Sequence, residues 1–243
     1  MPPEAELHGG VATAGLAIHA HDARFTWPGA GRFSISIPHL AIKAGERVFL
    51  HGPSGSGKST MLSLLAGIVA PQAGEIEIMG APFSALSGSK RDRVRAERFG
   101  IIFQMFNLLP YASAIDNVLL PLAFAPERAA RVGRARVAEA QRLLTALGLP
   151  RDAVETARAD RLSVGQQQRV AVARALIGTP DIVIADEPTS ALDTGARDAF
   201  LSLLFEQVAA AGATLVMVSH DTGLGAEFDR SLALGDIAQV ERA

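Results

Sequence analysis

The fold is decided by one short segment, Gly52-Pro53-Ser54-Gly55-Ser56-Gly57-Lys58-Ser59. It fits the pattern G-x-x-x-x-G-K-[ST] at every fixed position. The apolar run before it, Arg47 to His51, is predicted to be a strand, and the Leu-rich stretch Ser59 to Ile68 is predicted to be a helix. Glycines let backbone N–H groups turn inward around phosphate oxygens, and the helix N-terminus faces the same anion. In this context the motif predicts nucleotide binding and leaves the reaction open.

Two polar positions of this phosphate loop have individual predicted roles. Lys58 is expected to neutralise the β- and γ-phosphate oxygens, and Ser59 is expected to ligate Mg²⁺. The alternative is an ordinary Gly/Ser-rich turn, which the flanking strand and helix make less favourable. The predicted nucleotide contacts here are Gly52, Pro53, Ser54, Gly55, Ser56, Gly57, Lys58, Ser59 and Thr60.

A second segment ends in two carboxylates, Asp186 and Glu187, after the apolar run Ile182 to Ala185. Acids at the end of a buried parallel strand are costly unless a cation or hydrogen bonds receive them. Asp186 is therefore predicted to hold Mg²⁺, and Glu187 to orient and deprotonate an attacking water. The alternative is a solvated acidic turn, which is weaker beside a phosphate loop.

A third segment, Leu162-Ser163-Val164-Gly165-Gln166-Gln167-Gln168-Arg169, lies just upstream of the acidic strand. It resembles the LSGGQ signature of the ABC ATPase family, with Val164 where Gly is usual. The resemblance implies that Ser163, Gly165 and Gln166 contact the γ-phosphate of ATP. Ser163 can also serve as a helix N-cap. The resemblance extends from about Phe25 to His220.

The same resemblance assigns further site residues. Gln104 matches the family's Q-loop glutamine, which touches Mg²⁺ or the lytic water, and His220 matches the switch histidine on the γ-phosphate. Asp193 ends Ser190-Ala191-Leu192-Asp193, which matches the D-loop at the dimer interface. Trp27 occupies the place of the aromatic that stacks on adenine, with a packed aromatic as the alternative.

The resemblance also implies partners. The loop around Lys58 and the signature of one chain face their counterparts on another chain, so two cassettes form the working unit and a homodimer is the simplest case. A separate transmembrane permease is expected, because no apolar stretch here approaches the ~20 residues that cross a bilayer. We expect a peripheral position on the cytoplasmic face of the inner (plasma) membrane. The apolar segment Met105 to Tyr111 is a candidate permease contact, with packing against the predicted helix Pro126 to Leu147 as the alternative.

Composition excludes several classes of protein. The 243 residues contain no cysteine, which excludes disulfides and thiolate metal sites. A formal net charge of −2 gives no sign of nucleic-acid binding. The stretch FQMFNLLPYASAIDNVLLPL, residues 103–122, is similar to the branch that serves lipoprotein release, macrolide export and cell division.

The predicted fold is α/β: a P-loop NTPase core with a mixed or parallel sheet, an N-terminal antiparallel β subdomain and an inserted helical subdomain. We expect one domain over residues 1–243, with the core at 15–103 and 170–235 and the helical subdomain at 104–169. Residues 1–14 are predicted to be a frayed end. Within the insertion, Pro126 to Leu147 is predicted to be one amphipathic helix with an Arg-rich outer face, and Lys90 to Arg98 a solvated helix face.

The predicted function is ATP hydrolysis that drives a permease. The alternative is a soluble ABC-type ATPase that is not coupled to transport. A DNA-repair ATPase would need a long heptad insertion, and a translation factor two tandem cassettes. A small-molecule P-loop kinase would need an Arg-rich lid and would not need Ser163 to Gln166.

Overall fold

A computed structural model describes residues 15–29, 33–190 and 192–242. The strands are β1 (Leu16–Thr26), β2 (Phe33–Lys43), β3 (Arg47–His51), β4 (Ala73–Ile78), β5 (Ala81–Pro82), β6 (Phe99–Ile102), β7 (Ile182–Asp186), β8 (Thr214–Ser219), β9 (Arg230–Ala233) and β10 (Gln239–Arg242). The helices are α1 (Lys58–Leu65), α2 (Gly88–Arg98), α3 (Ala114–Leu119), α4 (Pro126–Val132), α5 (Arg136–Ala146), α6 (Arg151–Thr156), α7 (Val164–Leu176), α8 (Thr194–Ala210) and α9 (Leu234–Ile237). The prediction for residues 1–14 lies outside the described residues.

The strands form two sheets of different character. One sheet is antiparallel with the order β10-β2-β1-β4-β5. The other is parallel with the order β6-β7-β8-β3-β9. The parallel strands are almost continuously apolar because helices cover both of their faces. The predicted α/β class and the early antiparallel β region are both confirmed.

Helix α1 lies between the two sheets. Its buried side chains, including Met61 and Leu65, belong to one hydrophobic core with Ile18 of the antiparallel sheet and Leu50 of the parallel sheet. A second core joins the other face of the parallel sheet to α3, α5, α7 and α8. The phosphate loop between β3 and α1 is thus anchored at both ends by buried apolar side chains.

The expected single helix from Pro126 to Leu147 is wrong. Two helices, α4 and α5, occupy this stretch, and α4 ends at Gly133 with φ 65°. A residue with positive φ ends an α-helix, and glycine adopts such a φ without the clash that a Cβ would cause. The apolar periodicity continued across the break, so the pattern alone concealed it.

The Arg-rich outer face expected for this stretch is also partly wrong, because Arg128 is 1% exposed. Its guanidinium donates to the carbonyl oxygens of Phe99, Ala175 and Ile177. Burial lowers the pKa of Arg128 to about 10. Carbonyl oxygens satisfy a buried guanidinium, so the side chain ties α4 to β6 and to the end of α7.

The expected solvated face of Lys90 to Arg98 has one exception, Glu97, which is buried. Its carboxylate accepts the backbone N–H groups of Glu127 and Arg128 at 3.0 and 3.1 Å. It therefore caps the N-terminus of α4, where negative charge is stabilised. The boundary between core and helical subdomain stays a prediction.

Candidate nucleotide site

The phosphate loop surrounds the side chain of Lys58, which is buried. Its Nζ donates to the carbonyl oxygens of Gly52 and Pro53 at 2.8 and 3.1 Å. Gly57, the N-cap of α1, has φ 105°, and a Cβ there would lie 2.8 Å from the Phe33 ring. Glycine is therefore required at this position for both conformation and space. The loop places a cation and a helix N-terminus at one point, which suits an anion.

The carboxylate of Asp186 lies at the end of β7, beside this loop. Burial raises the pKa of Asp186, whereas a hydrogen bond with the Ser59 side chain and the charge of Lys58 lower it. The neighbouring Glu187 carboxylate raises it further. The structure thus brings together two of the predicted Mg²⁺ ligands, both with oxygen donors, as hard cations prefer.

Glu187 connects the loop to His220. Its Oε1 lies 3.8 Å from Lys58 Nζ, and its Oε2 lies 3.1 Å from His220 Nδ1. The backbone of Glu187 has φ 45°, and its N–H donates to the carbonyl of Val218 at 2.9 Å. A non-glycine residue in this region is strained, and such residues cluster at functional sites. Lys58 and His220, both predicted site residues, thus lie on either oxygen of the Glu187 carboxylate.

Lys58, Ser59 and Glu187 line a cleft of about 350 Å³. Gln104, predicted from the resemblance, lies on its wall with Ser54, Lys58 and Glu187. Phe33, at the start of β2, also lines it and was missed, because an isolated aromatic at a strand end carries no signal in the sequence. Arg242 was missed too, and its guanidinium donates to the carbonyl of Gly55. Strand β10 reaches the loop only through pairing with β2, which the sequence does not reveal.

Trp27 lies next to the cleft and is 41% exposed. Its indole Nε1–H donates to Thr60 Oγ1 at 3.1 Å, and its ring meets Phe25 edge-to-face at 5.0 Å. The ring therefore has one polar and one apolar anchor and leaves a surface for another planar group. Stacking on adenine stays a prediction.

The signature lies at the N-terminus of α7, with Ser163 as the N-cap. The Ser163 side chain accepts the N–H of Gln166 at 3.3 Å, and Gln166 Oε1 accepts the N–H of Ser163 at 2.9 Å. This is a capping box. Val164 is 51% exposed, and a Cβ on Gly165 would meet nothing within 4 Å among the described residues. The signature thus faces outward from the chain.

Asp193 caps the next helix, α8, where its Oδ1 accepts the N–H of Ala196 at 2.9 Å. A cap of this kind is a structural role on its own chain. Ala191, in the same predicted D-loop, lies outside the described residues. The role of Asp193 at an interface stays a prediction.

A phosphate loop on a parallel sheet, with two carboxylates at the end of a nearby strand, defines a P-loop nucleoside triphosphatase. Residues 36–190 match the family described as ABC transporter. The chain belongs to that family and is an ATP-binding, ATP-hydrolysing subunit. Within the part of the chain that the structure describes, there is no helix with the length and apolar character of a membrane span.

Two relatives whose names state a transport system are also similar to this chain. The lipoprotein-releasing system ATP-binding protein LolD 2 of Rhodospirillum rubrum is 43% identical over 195 residues, which cover 80% of this chain and 82% of that protein. The macrolide export ATP-binding/permease protein MacB of Psychrobacter arcticus is 40% identical over 210 residues, which cover 85% of this chain and 30% of MacB.

Solved structures agree with these relatives. The dimeric structure of the MJ0796 cassette, a protein of Methanocaldococcus jannaschii, has a TM-score of 0.79 and 36% identity, and the match covers 89% of this chain and 93% of that one. A dimeric post-hydrolysis state of MJ0796 bound to ADP and Pi matches with a TM-score of 0.77, 34% identity and the same coverage.

Proposed function

We propose that this chain hydrolyses ATP in a composite site, where its phosphate loop is completed by the signature of a second copy, and that this cycle drives a separate permease. The observation that carries the proposal is the carboxylate of Glu187, held between Lys58 and His220 at the cleft. The MJ0796 cassette, a structural relative, is dimeric.

In the proposed reaction, water attacks the γ-phosphorus of ATP, and the bond to the β-phosphate oxygen breaks with its electron pair on ADP. Glu187 accepts a proton from the water, and His220 holds the Glu187 carboxylate and contacts the γ-phosphate. Lys58 neutralises the β- and γ-phosphate oxygens. Gly52, Pro53, Ser54, Gly55, Ser56, Gly57, Ser59 and Thr60 complete the phosphate contacts.

Mg²⁺ fits the donor set at the end of β7. The Ser59 hydroxyl and the Asp186 carboxylate are already within hydrogen-bonding reach of each other, and Gln104 lines the same cleft. We assign Ser59, Asp186 and Gln104 to this ion, which when bound neutralises phosphate charge. Burial raises the pKa of Asp186. Its carboxylate therefore accepts a proton or a cation more readily than a solvated carboxylate does.

The second half of the composite site is the outward-facing end of α7. Ser163, Gly165 and Gln166 present a hydroxyl and a helix N-terminus to solvent, which together suit a phosphate oxygen. Because a helix N-terminus already serves the chain's own phosphate loop, this second one is available to the ATP on a partner. Asp193 is assigned to the same interface.

Complementation tests the composite site. Lys58→Ala removes the loop cation, and Ser163→Arg blocks the signature, so each variant alone should lack ATPase activity. A mixed dimer retains one site with an intact loop and an intact signature, so mixing should restore about a quarter of the wild-type rate by random pairing. Absence of any recovery, at every mixing ratio, would contradict a site shared by two copies.

We assign the permease contact to a groove of about 610 Å³ between α2, β6 and the turn after α3. Its apolar lining comprises Phe99, Ile101, Phe103, Leu120, Pro121 and Phe124. Phe124 is 67% exposed, and Met105 and Tyr111 of the candidate segment are 81% and 67% exposed. Exposed apolar side chains grouped in this way mark an interaction surface.

Coexpression tests this contact. Phe124→Glu should reduce recovery of the chain with its permease and leave ATP binding by the isolated chain unchanged. Val137→Glu, which changes another exposed apolar side chain away from the groove, is the matched control. Through the permease the chain would lie on the cytoplasmic face of the inner membrane. We assign no nucleic-acid partner, because the chain has a formal net charge of −2.

A further inference from the structure

We propose that Gln168 and Arg174 are positioning residues for ATP hydrolysis, through which helix α7 sets the places of Glu187 and Gln104. The inference rests on the proposed roles of those two residues in the chain's own site. It assigns to α7, beyond the signature at its N-terminus, control over both catalytic segments.

Gln168 reaches the segment that carries Glu187. Its side chain is 1% exposed, and its Nε2 donates to the carbonyl of Pro188 at 2.5 Å. Pro188 follows Glu187, whose backbone has φ 45°. A strained residue persists only where its surroundings hold it. The amide of Gln168 holds the Pro188–Thr189 peptide, one residue after the strained position.

Arg174 reaches the segment that follows Gln104. Its Nη1 donates to the carbonyl of Asn107 at 2.7 Å, and its Nη2 donates to the carbonyl of Phe106. Both of these loop residues have positive φ, 57° at Phe106 and 51° at Asn107. Burial lowers the pKa of Arg174. Two bonds from one planar group fix the turn in orientation as well as in position.

Two strained turns, each next to an assigned catalytic side chain, are thus held by buried polar groups of the same helix. Glu187 is held through Gln168 and Gln104 through Arg174. The helix begins at Ser163, which faces outward, and at 1.5 Å per residue Arg174 lies about 16 Å further along it. Because a helix moves as a rigid body, any shift of Ser163 as it closes on the partner's ATP displaces both turns. The same element thereby connects the partner's ATP with the chain's own hydrolytic geometry.

The test compares two variants with a control from the same helix. Gln168→Met keeps the length of the side chain and removes the donor, and Arg174→Lys keeps the charge and reaches one carbonyl in place of two. Arg169→Lys is the control, because Arg169 makes a similar bond to the carbonyl of Gly148, at 2.9 Å and away from the cleft.

A misplacement of about 1 Å can cost around 10²-fold in rate. We expect Gln168→Met and Arg174→Lys to lower kcat at least ~10-fold, with the KM for ATP within ~2-fold of wild type, and Arg169→Lys to change neither. In a Glu187→Gln background, Gln168→Met should lower the residual rate no further, since the base is already absent. Rates are normalised to the fraction of protein that binds a fluorescent ATP analogue, which removes any effect of misfolding.

Wild-type kcat in both variants, or a loss that vanishes on this normalisation, would overturn the inference. If Glu187→Gln stalls turnover while Gln168→Met and Arg174→Lys do not, only the positioning role fails. If Glu187→Gln itself turns over at the wild-type rate, the proposed function fails instead.

Discussion

The phosphate loop and the signature differ in where their partners lie. Around the loop, the Glu187 carboxylate contacts both Lys58 and His220 within a single chain. At the signature, the bonds of the Ser163 side chain run to Gln166 of its own first helical turn, and Val164 is half exposed. Both regions have a helix N-terminus that suits an anion, yet only the first has the proposed catalytic carboxylate, Glu187, beside it.

This difference separates what one chain can do from what requires two. In the proposed site, the loop of a lone chain supplies the groups that bind the phosphates of ATP. The cap for the exposed side of the nucleotide would come from the signature of a second chain. Changes at the loop should therefore alter the isolated chain, and changes at the signature should alter only the assembled pair.

The largest effect is expected from Glu187→Gln. Loss of the general base should lower kcat by ~10³-fold and leave ATP affinity near wild type, since Lys58 still neutralises the phosphates. ATP should then trap a dimer, which gel filtration detects as a species of doubled mass. Normal turnover would refute the assignment of this carboxylate.

The second largest effect is expected from Ser163→Arg. A bulky cation in place of the capping hydroxyl should lower the ATPase rate by ~10²-fold, comparable to the loss of a transition-state donor. Titration with a fluorescent ATP analogue should give an unchanged Kd for the isolated chain. If binding by the isolated chain were lost as well, the separation between the two regions would be wrong.

Lys58→Ala should weaken ATP binding by ~10- to 100-fold, because it removes charge-assisted hydrogen bonds to the phosphates. Calorimetry on the isolated chain measures this directly, and Lys43→Ala, on an exposed strand end, is the control. Equal affinities in the two variants would contradict the role of the loop cation.

Trp27→Ala should have a smaller effect, about 5-fold weaker binding of ATP, because it removes one stacking surface. Binding of inorganic triphosphate should stay unchanged, since that ligand has no base. Trp27→Phe should retain the affinity. A loss in Phe33→Ala with none in Trp27→Ala would assign the stacking to Phe33.

Val164→Gly should have the smallest effect. It replaces an exposed side chain at the first helical position, so the ATPase rate should be preserved or raised within ~3-fold. Steady-state kinetics with Ser163 intact provide the measurement. A large loss would give the Val164 side chain a role at the interface.

Sequence reasoning predicted the strand and helix that flank the phosphate loop better than it predicted the helical insertion. Strand β3 was expected with the bounds that it has. The phosphate loop and Asp186–Glu187 could be found because their chemistry dictates residue types at fixed spacing. Arg128 and Glu97 could not, because charged side chains usually indicate a surface, and only the tertiary fold provides the carbonyls and helix terminus that receive them. Gln168 and Arg174 could not be found for the same reason, because polar and charged side chains usually indicate a surface.

The parallel pairing of β3 has a consequence for biosynthesis. Its neighbours β8 and β9 come from the far end of the chain, with Arg47 opposite Leu215 and Val48 opposite Arg230. Contacts so distant in sequence form late, because loop closure must precede them. Strand β3, which positions Lys58, can therefore complete its pairing only after β8 and β9 have been synthesised. We expect the ability to bind ATP to appear late in folding.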